Sequence, residues 1–126
     1  MDLRESRLTT HPQEGSQGLV LLPSAGLFVS VRQRIIKFAL AQRWPVVAGP
    51  PRFVEEGALL GYSADNSAVY RRSAYYVDRI LKGAKPADLP IEQPMAFELV
   101  VNLKTAKELG LSMSTEVMVR ATRVIE

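Results

Sequence analysis

The stretch YYVDRILKGAKPADLPIEQPMAFELVVNLKTAKELGL, Tyr75 to Leu111, decides the fold. It reads as a helix end, a proline-punctuated crossover, a buried strand and a second helix. Gly83 is placed to close the first helix in a left-handed turn, and Pro86 stands just beyond it, where a helix cannot resume. Pro90 and Pro94 keep the chain extended across the gap. Phe97, Leu99, Val101 and Leu103 then alternate with Glu98, Val100 and Asn102, the two-residue period of a strand with one well-buried face. Asn102 to Leu109 follows as a short helix closed by Gly110.

Working outward, Gly18-Leu19-Val20-Leu21-Leu22 is a continuous apolar run ending at Pro23, the pattern of a parallel-sheet strand covered on both faces. From Leu27 to Arg43 the apolar residues Phe28, Val31, Ile35, Phe38 and Ala39 follow helical spacing, with Arg32, Arg34 and Lys37 outside, and Pro45 bars continuation. Val46-Val47-Ala48 is a short strand with Gly49-Pro50-Pro51 as its exit loop. Arg52 to Glu56 forms one helical turn stopped by Gly57, and Ala58 to Tyr62 is a further buried strand. Asp65, Asn66 and Ser67 offer caps to a long helix reaching about Lys82, whose inward stripe is Val69, Ala74 or Ser73, Val77, Ile80 and Leu81. Ser114 or Thr115 caps a last helix running to Ile125. Strands alternating with helices at this spacing predict an α/β fold with a parallel or mixed sheet flanked by helices. Residues 1–17 are a polar, flexible lead-in, and 18–126 form a single α/β domain.

Composition excludes several functions. The 126 residues suffice for one domain. The net charge of +3 is spread without a basic block, so no nucleic-acid partner is expected. No cysteine is present, which removes thiol chemistry. His11 is the only histidine and sits on a polar segment, so neither a His-dependent triad nor a His-rich metal site can be built. Glu55 and Glu56 are adjacent and point apart, unlike a facing acid–base pair. Neither GxGxxG nor GxxxxGK[ST] occurs, and no cofactor or metal is expected. Arg71, Arg72, Arg79, Lys82 and Lys85 form a basic strip on the long helix, read first as a solvated face. The chain is expected not to be an enzyme.

Ligands of open α/β sheets lie beyond the carboxyl ends of strands, where loops enter helices. Three loops qualify, and they contribute Ser24, Gly49, Tyr62, Ser63 and Asp65 as candidate ligand-binding residues. Ser24 and Ser63 supply hydroxyls, and Tyr62 a stacking surface. Asp65 has two readings, a helix cap or a partner for a ligand ammonium.

The segments DRILKGAKPADLPIEQP (Asp78–Pro94) and FELVVNLKTAKELGL (Phe97–Leu111) resemble the C-terminal part of ABC-transporter substrate-binding proteins. The likeness extends upstream to about Gly18. It implies part of a Rossmann-like periplasmic-binding-protein lobe, comprising the later second lobe and the final hinge crossings. By resemblance, two lobes close on a small solute such as an amino acid and the closed form meets an ABC permease. The resemblance implies a periplasmic location; Met1 to Gly18 carries no secretory signal, so the chain as given would stay in the cytoplasm. The sequence departs from the family at Leu111-Ser112-Met113-Ser114, in place of an isoleucine–proline pair, and after Pro23, where no acidic residue follows. A partial lobe keeps at best half of the ligand contacts, which predicts weak or absent solute binding by a monomer; it also leaves apolar surface uncovered, which predicts two-fold pairing of two copies, a homodimer, through the helix bearing Tyr70, Tyr75 and Tyr76. The alternative reading is a self-associating structural module without solute binding.

Overall fold

The computed structural model describes residues 15–22 and 27–126, with side chains of the first helix from residue 31 onward. Most of the expected lead-in, residues 1–14, lies outside the described residues, as does His11. Five strands form one sheet in the order β1 (Leu19–Leu21), β2 (Val46–Ala48), β3 (Leu60–Ala64), β4 (Phe97–Asn102) and β5 (Arg123–Ile125). The first three are parallel, β4 runs antiparallel to β3, and β5 runs parallel to β4. The helices are α1 (Leu27–Ala41), α2 (Pro51–Glu55), α3 (Asn66–Leu81), α4 (Leu103–Leu109) and α5 (Thr115–Arg120).

Paired residues across a sheet share a face. Leu21 pairs with Ala48 and Ala48 with Gly61, and this row is covered by α1 and α2. Ile35, Ile36 and Ala39 of α1 meet Leu21, Val46, Ala48, Phe53 and Ala58 in one cluster. Gly61 admits α2 because it has no side chain: a Cβ there would lie 2.6 Å from Val54 Cγ2 and 3.1 Å from the Gly49 carbonyl. Val20, Val47 and Leu60 form the neighbouring row on the opposite face, and it opens to solvent toward β1. Val20 is 65% exposed and Leu22 72%. The expectation that β1 is covered on both faces is therefore corrected. Among the described residues, α1 and α2 lie on the same side.

Four further expectations change. The third strand begins at Leu60 rather than Ala58, because Ala58 and Leu59 are buried as the entry from α2. Burial in β4 follows position rather than alternation. Val100, Val101 and Asn102 are all buried, whereas Phe97 is exposed and Leu103 already begins α4. The inward stripe expected on the long helix is not buried, since no residue of α3 is. The last helix stops at Arg120, and Arg123–Ile125 is captured as β5. Thr122 starts that capture: its N–H and Oγ1 both donate to the Leu99 carbonyl, at 2.8 and 2.9 Å. Pairing with the free flank of β4 satisfies backbone groups that a continued helix would leave open.

Asn102 joins the segments. Its Nδ2 donates to the Val54 carbonyl at 2.9 Å, its Oδ1 accepts from Thr105 N at 3.1 Å as the cap of α4, and its own N–H donates to the Leu59 carbonyl. Thr105 Oγ1 adds a bond to the Gly57 carbonyl at 3.0 Å. A second clasp ties α1 to the end of α2. Arg32 grips Glu56 through Nε at 2.7 Å and a terminal nitrogen at 2.6 Å, so Arg32 is half-buried rather than outside.

Two predictions follow from these clasps. Asn102→Ala removes a cap and leaves a buried carbonyl without its donor, so urea denaturation should show a loss of about 2–4 kcal/mol. The Glu56 carboxyl is held below its ordinary 4.5 chiefly by its hydrogen bonds to Arg32, with smaller help from Gln33 and Arg52. A lowered carboxyl stabilises the fold above its unfolded value, and that contribution is lost as pH falls through the folded value. Glu56→Gln should therefore be less stable at neutral pH and lose less stability below 4.5 than the parent, measured by denaturation at stepped pH.

Candidate functional site

Three parallel strands end on one side of the molecule, and antiparallel β4 begins there. The loop after β1 holds Ser24, which lies outside the described residues. Gly49, after β2, is buried and packed against Gly61, and its successor Pro50 opens the five-residue α2. Gly49 thus offers no side chain, and its carbonyl lies against Gly61.

The end of β3 supplies the other candidates. Tyr62 is 56% exposed, and its ring stacks on Phe97 at 5.4 Å between centroids and 11° between planes. The register explains the pair: Tyr62 faces Leu99 and Ala64 faces Phe97, so the two rings are diagonal neighbours on one face. Phe97 was read only as a strand residue; its partnership with Tyr62 needs the antiparallel register, which no local signal announces. Ser63 points to the opposite face, and its Oγ is buried without a hydrogen-bond partner among the described residues. Asp65 performs the capping role: Oδ1 accepts from Ala68 N at 3.1 Å, and its own N–H donates to the Ala96 carbonyl at 2.9 Å. That last bond ties the chain leaving β3 to the chain entering β4. The structure therefore brings Tyr62 and Phe97 together, sets Ser63 on the reverse face, and spends one Asp65 oxygen on the helix.

The three tyrosines of α3 separate. Tyr70 is exposed and makes no ring contact among the described residues, whereas Tyr75 and Tyr76 meet edge to face at 5.7 Å. The Arg72 guanidinium lies 4.2 Å from the Tyr75 ring centroid and 5.4 Å from that of Tyr76, and forms a two-pronged ion pair with Glu92. Tyr76 OH donates to the Pro90 carbonyl at 2.8 Å. This cluster clasps the crossover onto α3. Beside it lies a groove of about 400 Å³ lined by Val69, Ser73, Tyr76, Glu92, Pro94 and Met95 among others. Its residues come from segments twenty positions apart, so sequence periodicity gave no sign of it.

Electrostatics here are structural. Arg72 lowers the Glu92 carboxyl through their hydrogen bonds, and Glu92 raises Arg72. Burial foremost, then Glu92, pushes the Tyr76 phenol above its ordinary value of 10.0. The basic strip is interrupted, since Arg72 engages Glu92 and Lys82 engages Asp78 at 2.9 Å. Glu55 pairs with Arg123 at 2.7 Å and Glu56 with Arg32, on separate sides of α2. Among the described residues no group of three metal-ligating side chains occurs, and no helix is long and apolar enough to cross a membrane. The exposed Tyr62–Phe97 pair is a flat aromatic surface of the kind that stacks on a ligand.

Removing Glu92's charge should take away part of what raises the Tyr76 phenol. In Glu92→Gln the phenol should ionise closer to its ordinary value, seen as the difference between tyrosinate absorbance titrations with and without Tyr76→Phe. An unmoved Tyr76 titration would contradict the clasp.

A sequence profile of the ABC transporter substrate binding protein family matches residues 6–125. Among solved structures, the chain is similar to a conserved domain protein from Vibrio cholerae O1 biovar El Tor, with 28% identity and a TM-score of 0.79 over 86% of this chain and 36% of that one. It is also similar to an ABC domain from Streptococcus pneumonia in complex with L-Trp, with 26% identity and a TM-score of 0.75 over 84% of this chain and 36% of that one. A ligand-free, open substrate-binding protein with adhesive properties from Clostridium difficile shares the fold at 24% identity, with a TM-score of 0.62 and coverage of 84% and 36%. The chain spans about a third of the length of the solved structures it matches. Among curated proteins, none matches.

Proposed function

Since the chain belongs to the ABC transporter substrate binding protein family, we propose that it serves as part of the solute-binding component of an ABC uptake system, taking a small molecule of the amino-acid class. The supporting observation is the exposed Tyr62–Phe97 stack at the edge where β1, β2 and β3 end. A stacked aromatic surface suits a flat or apolar side chain, and L-Trp is the ligand of the Streptococcus pneumonia relative. On this reading the second Asp65 oxygen serves the ligand's polar groups at the strand end, while the Ser63 hydroxyl faces the other side of the sheet. Residues 18–126 act as one α/β unit, with β3 and β4 as crossings toward a second lobe. The family is generally non-enzymatic and typically extracytoplasmic; by extension this chain carries out no chemical step, and an ABC permease is its membrane partner.

One wall cannot enclose a ligand. Affinity in a closing receptor comes from burying most of the solute's surface between two walls. Isothermal titration of the 126-residue chain with an amino-acid panel should show binding weaker than micromolar, weakened further by Tyr62→Ala. Micromolar binding by a proven monomer would overturn the two-wall reading.

A second reading, self-association as a homodimer, is favoured by the open row of Val20, Leu22 and Val47 and by apolar residues exposed on α3. It is compatible with the first and differs in what covers the apolar surface.

A further inference from the structure

Phe97 stands at the open end of β4. It is the first residue of the strand, and β5 pairs only further along, with Val100, Val101 and Asn102. At that end the sheet holds β4 from one side, through the pairing of Phe97 with Ala64. The chain leading into it is irregular. Among the described residues, 91–95 lie in no helix or strand and make no backbone–backbone hydrogen bond. Side chains of α3 hold the segment instead. Tyr76 OH donates to the Pro90 carbonyl at 2.8 Å, Arg72 Nε donates to the Glu92 carboxylate at 2.6 Å, and a terminal nitrogen of Arg72 adds the second prong. Between Glu92 and Phe97, Pro94 has a fixed φ. The Ala96 carbonyl then accepts from the N–H of Asp65, the residue that caps α3. The cap, α3 as far as Arg72, Glu92 and the segment back to Ala96 thus form a closed ring of contacts, and Phe97 is the next residue out.

We propose that Arg72 is a positioning residue: by gripping Glu92 it sets the entry of β4 so that the Phe97 ring lies flat on Tyr62. The inference deepens, and rests on, the reading of that stack as the ligand surface. Arginine suits the task. Its guanidinium makes two bonds to one carboxylate, which fixes direction as well as distance. Its Cζ lies 4.2 Å from the Tyr75 ring centroid, so the ring holds the fork in place. Lysine would keep the charge and lose both the fork and the stacking. The pair is partly exposed, 48% and 37%, and an ion pair so placed adds little to global stability. What it contributes is aim, delivered to an aromatic pair whose attraction depends on ring offset and angle. A Phe97 free to turn away would leave Tyr62 alone, and a flat ligand would lose part of the surface it stacks on.

Nuclear magnetic resonance of the 126-residue chain reads this without any ligand. The parent should show cross-relaxation between the Tyr62 and Phe97 rings and ring-current shifts of the Phe97 resonances. Arg72→Met and Glu92→Ala should each lose most of both, the double variant should lose no more than either, and Arg72→Lys should fall between. The amides of Val100, Val101 and Asn102 and the urea midpoint should stay at the parent's values, which a general loss of stability would not allow. Ring contacts that survive Arg72→Met overturn the proposal, as does their loss only together with shifts at Asn102. L-Trp at millimolar concentration, followed at the Tyr62 ring, gives a second and separate reading. Arg72→Met should weaken its binding roughly three- to tenfold, the worth of one aromatic contact. An unchanged affinity with the rings apart overturns the bearing of Arg72 on the ligand. A parent whose rings touch yet do not respond to L-Trp contradicts the amino-acid reading, while the ring contacts still decide the role of Arg72.

Discussion

The side chain of Asn102 holds together parts of the chain almost fifty residues apart. One amide group donates to the end of α2 and caps α4, while the backbone of the same residue completes the pairing of β4 with the entry to β3. Each bond is buried, where a missing partner costs more than a made bond contributes. The arrangement pins the register of β4 on β3. A slip of one residue would turn every β4 side chain to the other face. Phe97 would then leave Tyr62, and the aromatic platform would not exist. The Tyr62–Phe97 stack is therefore a consequence of a bond made at the far end of the same strand.

Coverage of the sheet is one-sided where α1 and α2 pack, and Gly61 is the residue that lets α2 sit so low. Beyond β3 the chain leaves the sheet, runs through α3 and the clasped crossover, and returns as β4, with Asp65 N–H and the Ala96 carbonyl marking the departure and return. Two crossings, paired as β3 and β4 and closed by the Asp65–Ala96 hydrogen bond, attach this arm to the sheet. Within the arm, Arg72, Glu92 and Tyr76 keep the helix and crossover together, so the arm moves as a unit if it moves.

Much of this was legible in the residues. Gly83 and Gly110 ended helices in left-handed conformations as their positions implied, with φ of 100° and 71°. Asp65 and Ser114 capped helices as offered, whereas Asn102, read as a first helix residue, is the cap, and Pro51, read as loop, opens a helix. The α/β class and the family were legible as well, the latter through the long run from Asp78 to Leu111. What escaped depended on contacts distant in sequence. Periodicity shows that Val77, Ile80 and Leu81 share a face of α3 but not whether anything covers it. Helical spacing from Thr115 to Ile125 looked continuous, yet hydrogen bonds offered by the free flank of β4 drew the end into a strand. The pairing of Arg72 with Glu92, and the placing of Phe97 against Tyr62, likewise exist only after the chain has turned back. The candidate loop residues were only partly legible: Tyr62 occupies an exposed stack, Gly49 is packed under Gly61, and Ser24 falls outside the described residues.

The molecule is a firm body, fastened at Asn102, that carries an arm with its own, lower stability. Native-state hydrogen exchange at a dilution where the chain is monomeric measures this directly. The account predicts that amides of β3, β4 and α4, among them Thr105 N–H on Asn102, exchange only through global unfolding. Amides of α3 and the crossover should exchange through a smaller opening that leaves the rest protected. Equal protection of the arm and the sheet, with one shared opening, would contradict it.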